Sequence, residues 1–327
     1  MKILLDAMSG DNAPEAMVKG AIDAKAEFGM DICLVGRRSE LEPLLGDGSD
    51  LEIAGADDVI TMEDDAASAI RNKKNSSMVV TLRMLAENLG DAVVSAGNTG
   101  ALLTGATLLV KRISGIRRAA MAPVLPNGAR GVCLIDCGAN VDCTPEYLLQ
   151  FAYMGSFYAK SVMGCDTPRV GLLNIGTEES KGTELQKETY KLLVDAHSNG
   201  RINFIGNIEG KDLLGGETDV AVADGFAGNI ALKTLEGTAK FLMTELKKSL
   251  SKNPNAPLVM DDIRGLSALL DPSEIGGTAL LGISKPVIKA HGSSDARAIR
   301  SAIMQAANVV SSGISTEIAA NIEYMKL

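Results

Sequence analysis

No tryptophan occurs in this sequence, and phenylalanine and tyrosine bring the aromatics to only 3 %. With so few π-faces the chain lacks the stacking platforms that single-stranded nucleic acid needs. Histidine is scarcer still, with two residues. The five cysteines are odd in number and contain no C-x-x-C pair. That speaks against a disulfide scaffold and for reduced thiols in a cytosolic protein. Cys133, Cys137 and Cys143 lie close in sequence, but they lack zinc-type spacing and a neighbouring histidine. They read as small buried hydrophobes, and no metal site is expected. No run reaches the roughly 20 apolar residues of a membrane span. The start, MKILLDAM, turns polar early, so no secretory leader is expected. The phosphate-binding G-x-x-x-x-G-K-S/T loop, a strand-borne G-x-G-x-x-G and the G-x-S-x-G elbow are also missing. Kinase, dinucleotide and hydrolase readings lose ground accordingly, and no cofactor is expected.

What is present is a chain of 327 residues with 46 % apolar residues and a formal charge of −9. That length supports one large core, or two lobes around a cleft. The acidic balance repels nucleic acid unless a local basic patch intervenes, so no nucleic-acid partner is expected. The predicted strands are Lys2–Asp6, Ile32–Val35, Ala92–Ser95, Val132–Asp136, Arg169–Leu173, Val220–Ala223 and Val287–Ala290. Most are unbroken apolar runs, as expected of strands buried on both faces. Between them lie predicted helices at Glu15–Phe28, Ser77–Leu89, Ala101–Val110, Pro145–Ser161, Thr183–Ala196, Asn229–Leu250 and Asp295–Ser311. Strand–helix alternation predicts a doubly wound, mostly parallel sheet in an α/β/α sandwich, a single catalytic unit over residues 1–327. A helical excursion is expected near residues 241–272, with SKNPNAP as a breaker inside it. Val259, Ile263, Leu266 and Leu270 mark one apolar face there, open to readings as core, dimer contact or membrane contact.

Five segments share one construction: an apolar strand, a small polar turn and a helix start. They are LLDAMSGDNAP, VVSAGNTGALL, LLNIGTEESKG, DVAVADGFAGNIALK and VIKAHGSSDA. Free N–H groups and the positive end of a helix attract an anion, and glycine lets the anion approach the backbone. Ordinary turns use the same residues, so one such loop says little. Five loops expected along one sheet edge point to an enzyme that handles phosphate.

Taken in order, DAMSGDNAP, VSAGNTGALL, GIRRAAMAPVLP, IDCGANVDCTPEYLLQFAYMG, PRVGLLNIGTEESKG, DVAVADGFAGNIALKTLEG and VIKAHGSSDA span nearly the whole chain. Together they resemble the bacterial acyl-(acyl-carrier-protein):phosphate acyltransferases of phospholipid synthesis. Ser9 stands where that family usually has glycine, and Ala119 where an Arg-Pro pair is usual. The resemblance implies a fold related to phosphotransacetylases and to isocitrate- and isopropylmalate-type dehydrogenases. It implies acyl transfer from acyl-carrier protein to inorganic phosphate, without metal or cofactor. It further implies a cytoplasmic homodimer in peripheral contact with the cytoplasmic membrane, feeding an acyl-phosphate:glycerol-3-phosphate acyltransferase. A phosphotransacetylase acting on acyl-coenzyme A, a dehydrogenase of the related fold and a non-catalytic scaffold for lipid enzymes are the competing readings.

That reaction needs an aimed phosphate, donors for a tetrahedral oxyanion, and a proton or cation for the leaving thiolate. Asn98, Thr99 and Gly100, with Gly176, Thr177 and Ser293, are the candidates to hold phosphate or oxyanion. Lys181 is the candidate cation, and His291 the group that stabilises or protonates the thiolate. Asn229 is the candidate to orient groups in the cleft. Each has a plainer reading: Lys181 as an exposed lysine, His291 as a capping or core histidine, Asn229 as a capping residue. An acidic carrier protein requires a basic surface, and KRISGIRR supplies Lys111, Arg112, Arg117 and Arg118 without an acid among them.

Overall fold

The computed structural model describes residues 1–46, 50–251, 256–270 and 276–325. Its first half runs β1 (Lys2–Asp6), α1 (Glu15–Phe28), β2 (Asp31–Gly36), α2 (Arg38–Leu45), β3 (Glu52–Gly55), α3 (Ala66–Asn72), α4 (Ser77–Ala86), β4 (Ala92–Ser95), α5 (Thr99–Gly105), β5 (Ala120–Ala122), β6 (Val124–Leu125), β7 (Val132–Ile135) and α6 (Pro145–Ser161). The second runs β8 (Arg169–Asn174), α7 (Glu184–Ser198), β9 (Asn203–Glu209), β10 (Val220–Val222), α8 (Gly225–Leu250), α9 (Met260–Leu269), β11 (Thr278–Leu281), β12 (Val287–Lys289), α10 (Ala296–Ser312) and α11 (Ile314–Ala320).

The strands form two sheets, ordered β3-β2-β1-β4-β12-β11-β5 and β6-β7-β10-β8-β9. In the first, β3 to β12 are parallel, and β11 is antiparallel to both its neighbours. In the second, only β6 is antiparallel. Alternate residues of β1 feed different cores. Ile3 and Leu5 join one apolar cluster with Met17 and Ile299, while Leu4 joins another with Met78 and Leu82. Burial on both faces is why these strands read as unbroken apolar runs. On one face α1 lies so close to α10 that a Cβ on Gly20 would sit 2.7 Å from the Ala296 carbonyl oxygen.

The five loops were expected on one sheet edge; they leave two edges instead. Residues 121–125 form one strand that crosses between the sheets through Pro123. It pairs with β11 by Met121↔Leu280 and with β7 by Leu125↔Val132. Leu134 N–H donates to the Pro123 carbonyl and Met121 N–H to the Asp136 carboxylate, so the antiparallel register continues past the proline. This crossing strand therefore runs with β12 and against β7. The C-terminal edges of the two parallel sets consequently point at each other across it, and the space between them is a cleft. Apolar alternation predicts strands but carries no record of which sheet each one joins.

Several boundaries also differ from expectation. The edge strands Glu52–Gly55 and Asn203–Glu209 and the short Thr278–Leu281 were not anticipated. The first two are partly exposed and carry glycine, which breaks the apolar run. The helix expected at Asn229 begins at Gly225, because the Asp224 side chain caps it by accepting the Ala227 N–H at 2.8 Å. The stretch expected as helix to Val110 ends in a π-turn over Ala106–Val110, stopped by Lys111 at φ 74°. The excursion consists of the far end of α8, a 3₁₀ turn at Ala256–Val259, and α9. Residues 252–255 of the breaker and 271–272 of the excursion lie outside the described residues.

Candidate active site

Asp136 locks the crossing strand, the loop after β7 and the start of α8 together. Its Oδ1 accepts N–H groups from Met121 and Cys137, each at 2.8 Å. Its Oδ2 accepts the Asn140 N–H at 2.7 Å and the Asn140 side-chain amide at 3.0 Å. Burial pushes this carboxyl up, and those donors pull the other way. The start of α8 seats on the same loop. A Cβ on Gly228 would fall 1.9 Å from the Asp136 carbonyl oxygen, so only glycine allows this approach. The seating brings Asn229, one turn into α8, beside Gly138.

From the first sheet, the loops after β1, β4 and β12 interlock. Asp11 N–H donates to the Gly292 carbonyl at 2.8 Å, and the Asn12 amide to the Ser293 and Ser294 carbonyls. Asp6, at the end of β1, is buried and accepts the Ser95 hydroxyl at 2.7 Å. Burial pushes its carboxyl up.

The cleft between these edges has a volume of about 410 Å³. Thr99, Asn229 and His291 line it together, joined by Lys233, Glu236 and Lys289. Asn98 caps α5 instead. Its Oδ1 accepts the Ala101 N–H at 3.0 Å, and its amide reaches the carbonyls of Thr61, Met62 and Asp64. Gly100 faces Ala66 of α3. Ser293 lines a groove next to the cleft, and its N–H donates to His291 Nδ1 at 3.3 Å. With Nδ1 accepting, the neutral ring carries its proton on Nε2.

Gly176, Thr177 and Lys181 are not in the cleft lining. Their loop leaves the facing edge at β8, beside β10, and folds on itself. Lys181 N–H donates to the Glu178 carbonyl, and the Asn174 amide to the Lys181 carbonyl. The Lys181 side chain is exposed.

Arg112, Arg117 and Arg118 line a separate pocket of about 610 Å³ with Glu146, Tyr147 and Gln150. The Arg118 guanidinium stacks 5.4 Å from the Tyr147 ring centre. Lys111 is exposed outside that lining. On the excursion, Ile263 is buried, Leu270 lines the groove, and Val259 and Leu266 are 39 % and 43 % exposed. Among the described residues no cluster of acids, histidines and cysteines suits a metal ion.

A family model described as "Fatty acid synthesis protein" matches residues 1–317. The chain belongs to this family. The phosphate acyltransferase of Oceanobacillus iheyensis is 45 % identical over 328 residues, spanning 99 % of this chain and 98 % of its own length. That of Bacillus subtilis is 44 % identical over 333 residues, spanning 100 % and 99 %. Among solved structures, a phosphotransacetylase from Streptococcus pyogenes superposes with a TM-score of 0.64 at 18 % identity, over 95 % of this chain and 94 % of that one. A 4-hydroxythreonine-4-phosphate dehydrogenase from Klebsiella pneumoniae gives 0.55 at 13 %, over 95 % and 99 %. These two distant likenesses establish the α/β fold.

Within this family member, the residue that sequence reasoning missed is Lys289. It closes β12 in VIKAHGSSDA, where it reads as an ordinary strand-end lysine. It is 8 % exposed and makes no ion pair among the described residues; its ammonium reaches only the carbonyls of Ala96 and Ala290. Burial pushes it down to about 8, with repulsion from Lys233 adding to the effect. Asp6 and Asp11 attract this ammonium without pairing with it, and a buried cation that no carboxylate pairs can seat an incoming anion. Its charge is full below about pH 8 and lost above. Sulfate affinity, measured calorimetrically, should therefore weaken at least about tenfold between pH 7 and pH 9.5. In Lys289→Met it should be weak and flat; an unchanged profile there would remove Lys289 from the anion seat. Its value in the fold lies below the ordinary 10.5, so it costs stability in full below pH 8 and less as pH rises. The same variant should thus unfold at higher urea concentration at pH 7.

Proposed function

We propose that this chain is a phosphate acyltransferase, moving an acyl group from acyl-carrier protein to inorganic phosphate. Full-length identity to curated phosphate acyltransferases supports the reaction class. The observation that carries the chemistry is the cleft itself, where the buried Lys289 ammonium faces Thr99, Asn229 and His291.

Phosphate sits against Lys289 and the Thr99 hydroxyl, held by charge and aimed at the thioester carbon. A phosphate oxygen attacks; the new C–O bond forms and the carbonyl electrons move onto oxygen. Asn229 donates to that oxyanion. Collapse breaks the C–S bond; the proton that the hydrogen phosphate sheds as its C–O bond forms ends on the departing sulfur, which the His291 Nε2–H steadies by a hydrogen bond, giving acyl phosphate and free carrier thiol. No enzyme-bound acyl intermediate is needed. The cysteines nearest the cleft are poor nucleophiles: burial pushes Cys143 up to about 12 and Cys137 well above its ordinary value. Lys181, exposed and outside the cleft lining, meets the arriving carrier rather than the reacting atoms. Acyl phosphate trapped with hydroxylamine gives the readout. His291→Ala should lower kcat about 100-fold. Lys181→Ala should chiefly raise KM. Full turnover by His291→Ala would end its role at the leaving sulfur, and loss of kcat in Lys181→Ala would place that lysine at the reacting atoms.

The carrier docks on Arg112, Arg117 and Arg118, the basic pocket of a chain that is otherwise acidic. Arg112→Glu combined with Arg117→Glu should raise KM for the carrier-bound substrate about tenfold and flatten its salt dependence. If neither changes, the carrier docks elsewhere.

The enzyme works in the cytoplasm as a homodimer touching the membrane, where its amphiphilic product passes to a glycerol-3-phosphate acyltransferase that consumes it. Exposed Phe241, Leu242, Leu258, Leu266 and Leu269 around the α8–α9 excursion support this reading. Among the described residues, no helix is long and apolar enough to cross a membrane. Leu266→Glu should release the protein from sedimenting liposomes while leaving the dimer intact; a monomer that still binds liposomes would assign this face to the dimer alone.

A further inference from the structure

The cleft is small for the substrate that the proposed function gives it. A phosphate and a thioester carbonyl fill much of 410 Å³, and a fatty tail needs its own space. A groove of about 740 Å³ opens directly from the cleft between α8 and α9. Lys233, Glu236, His291 and Ser294 border both, so the two form one continuous space whose junction is His291.

The groove is built for a chain rather than a compact ligand. Lys233, Gly237, Lys240, Thr244 and Lys247 follow one another at helical spacing along a single face of α8. From Lys233 to Lys247 that face extends about 21 Å. Its apolar lining is Ala239 and the buried Met243 from α8, with Leu270 from the end of α9. The lysines contribute their methylene stems to the walls and keep their ammonium heads in water. Methionine suits such a floor because its unbranched thioether adapts to what lies on it. Gly237 is the open point. A Cβ placed there would meet nothing within 4 Å, so the helix presents bare backbone to the groove one turn from the junction.

We infer that this groove holds the acyl chain of the thioester, with Gly237 keeping its entrance clear and Met243 bearing on the distal methylene groups. The inference rests on the proposed acyl transfer, and it assigns the tail a path along α8 away from His291. Each methylene buried there is worth up to about fourfold in affinity. Selectivity for long chains then follows from groove length, while chains of a few carbons never pass Gly237.

The test compares butanoyl- and hexadecanoyl-carrier protein as substrates of Gly237→Phe, with Gly237→Leu as a second variant that favours the helix. The ratio of hexadecanoyl to butanoyl kcat/KM should fall at least about tenfold in both. An unchanged ratio overturns the proposal, including the case where both substrates slow equally. So does a changed oligomeric state with an unaltered ratio, which would make the groove a protein interface. Binding of a fluorescent hexadecanoate analogue gives an arm that does not depend on turnover. It should be tight in the unaltered protein and weakened in the variants; equal binding in all three overturns the groove. If the unaltered protein makes no acyl phosphate from either substrate, the functional reading fails while the binding arm still judges the groove.

Discussion

The structure depends on one buried carboxylate. Asp136 gathers N–H donors from the crossing strand, from its own loop and from the Asn140 amide, and its carbonyl oxygen supports the first turn of α8. No solvent competes for those bonds, so each donor is held where the carboxylate requires it. Asn229 and Lys233 project from the helix thus seated, and Met121 and Leu125 project from the strand thus held. The cleft therefore inherits its shape from a residue that does not line it. The tight seat leaves no room for a side chain at Gly228, which explains a glycine inside a helix where its conformational cost would otherwise count against it.

The chemistry is electrostatic economy in an acidic molecule. A chain of charge −9 gathers its cations locally rather than being basic overall. Three arginines surround one pocket, and two lysines stand in the cleft. The lysines are treated differently. Lys233 is half exposed and paired with Glu236 at 2.7 Å, while Lys289 is buried with only carbonyl partners. The paired, hydrated lysine is cheap to keep and weak as a lure. The buried one is costly in the empty protein, and an arriving dianion relieves that cost.

Much of this was legible in the sequence because turn chemistry is local. Glycine, asparagine and serine after an apolar run identify a strand-to-helix loop whatever the tertiary context, and Thr99, Asn229 and His291, which line the cleft, stand in such loops. The ordered motifs also named the family. What stayed hidden depends on long-range geometry. Sheet membership is decided by the pairing of Leu125 with Val132 and Met121 with Leu280, partners that no apolar pattern records. Lys289 looks like any polar strand end until its burial is known. Asn98 looks like a phosphate ligand until its amide is seen to be committed to the 61–64 turn. Lys181 and Gly176 share the same loop grammar but leave the sheet one strand beyond the cleft. Grammar identifies loops that suit an anion, and topology selects which of them meet.

Pro123 gives the crossing strand one further property. Proline has no N–H to donate, so at that residue the strand is held to β7 by its carbonyl alone. The strand is the spine of an open book, and Pro123 is its crease. Lys289 and His291 belong to one page, Asn229 and Lys233 to the other. Any opening at the crease parts Lys289 and His291 from Asn229 and Lys233, and the mouth of the α8 groove with them. On the proposed chemistry, grip on the phosphate and grip on the thioester are thus made by both pages together.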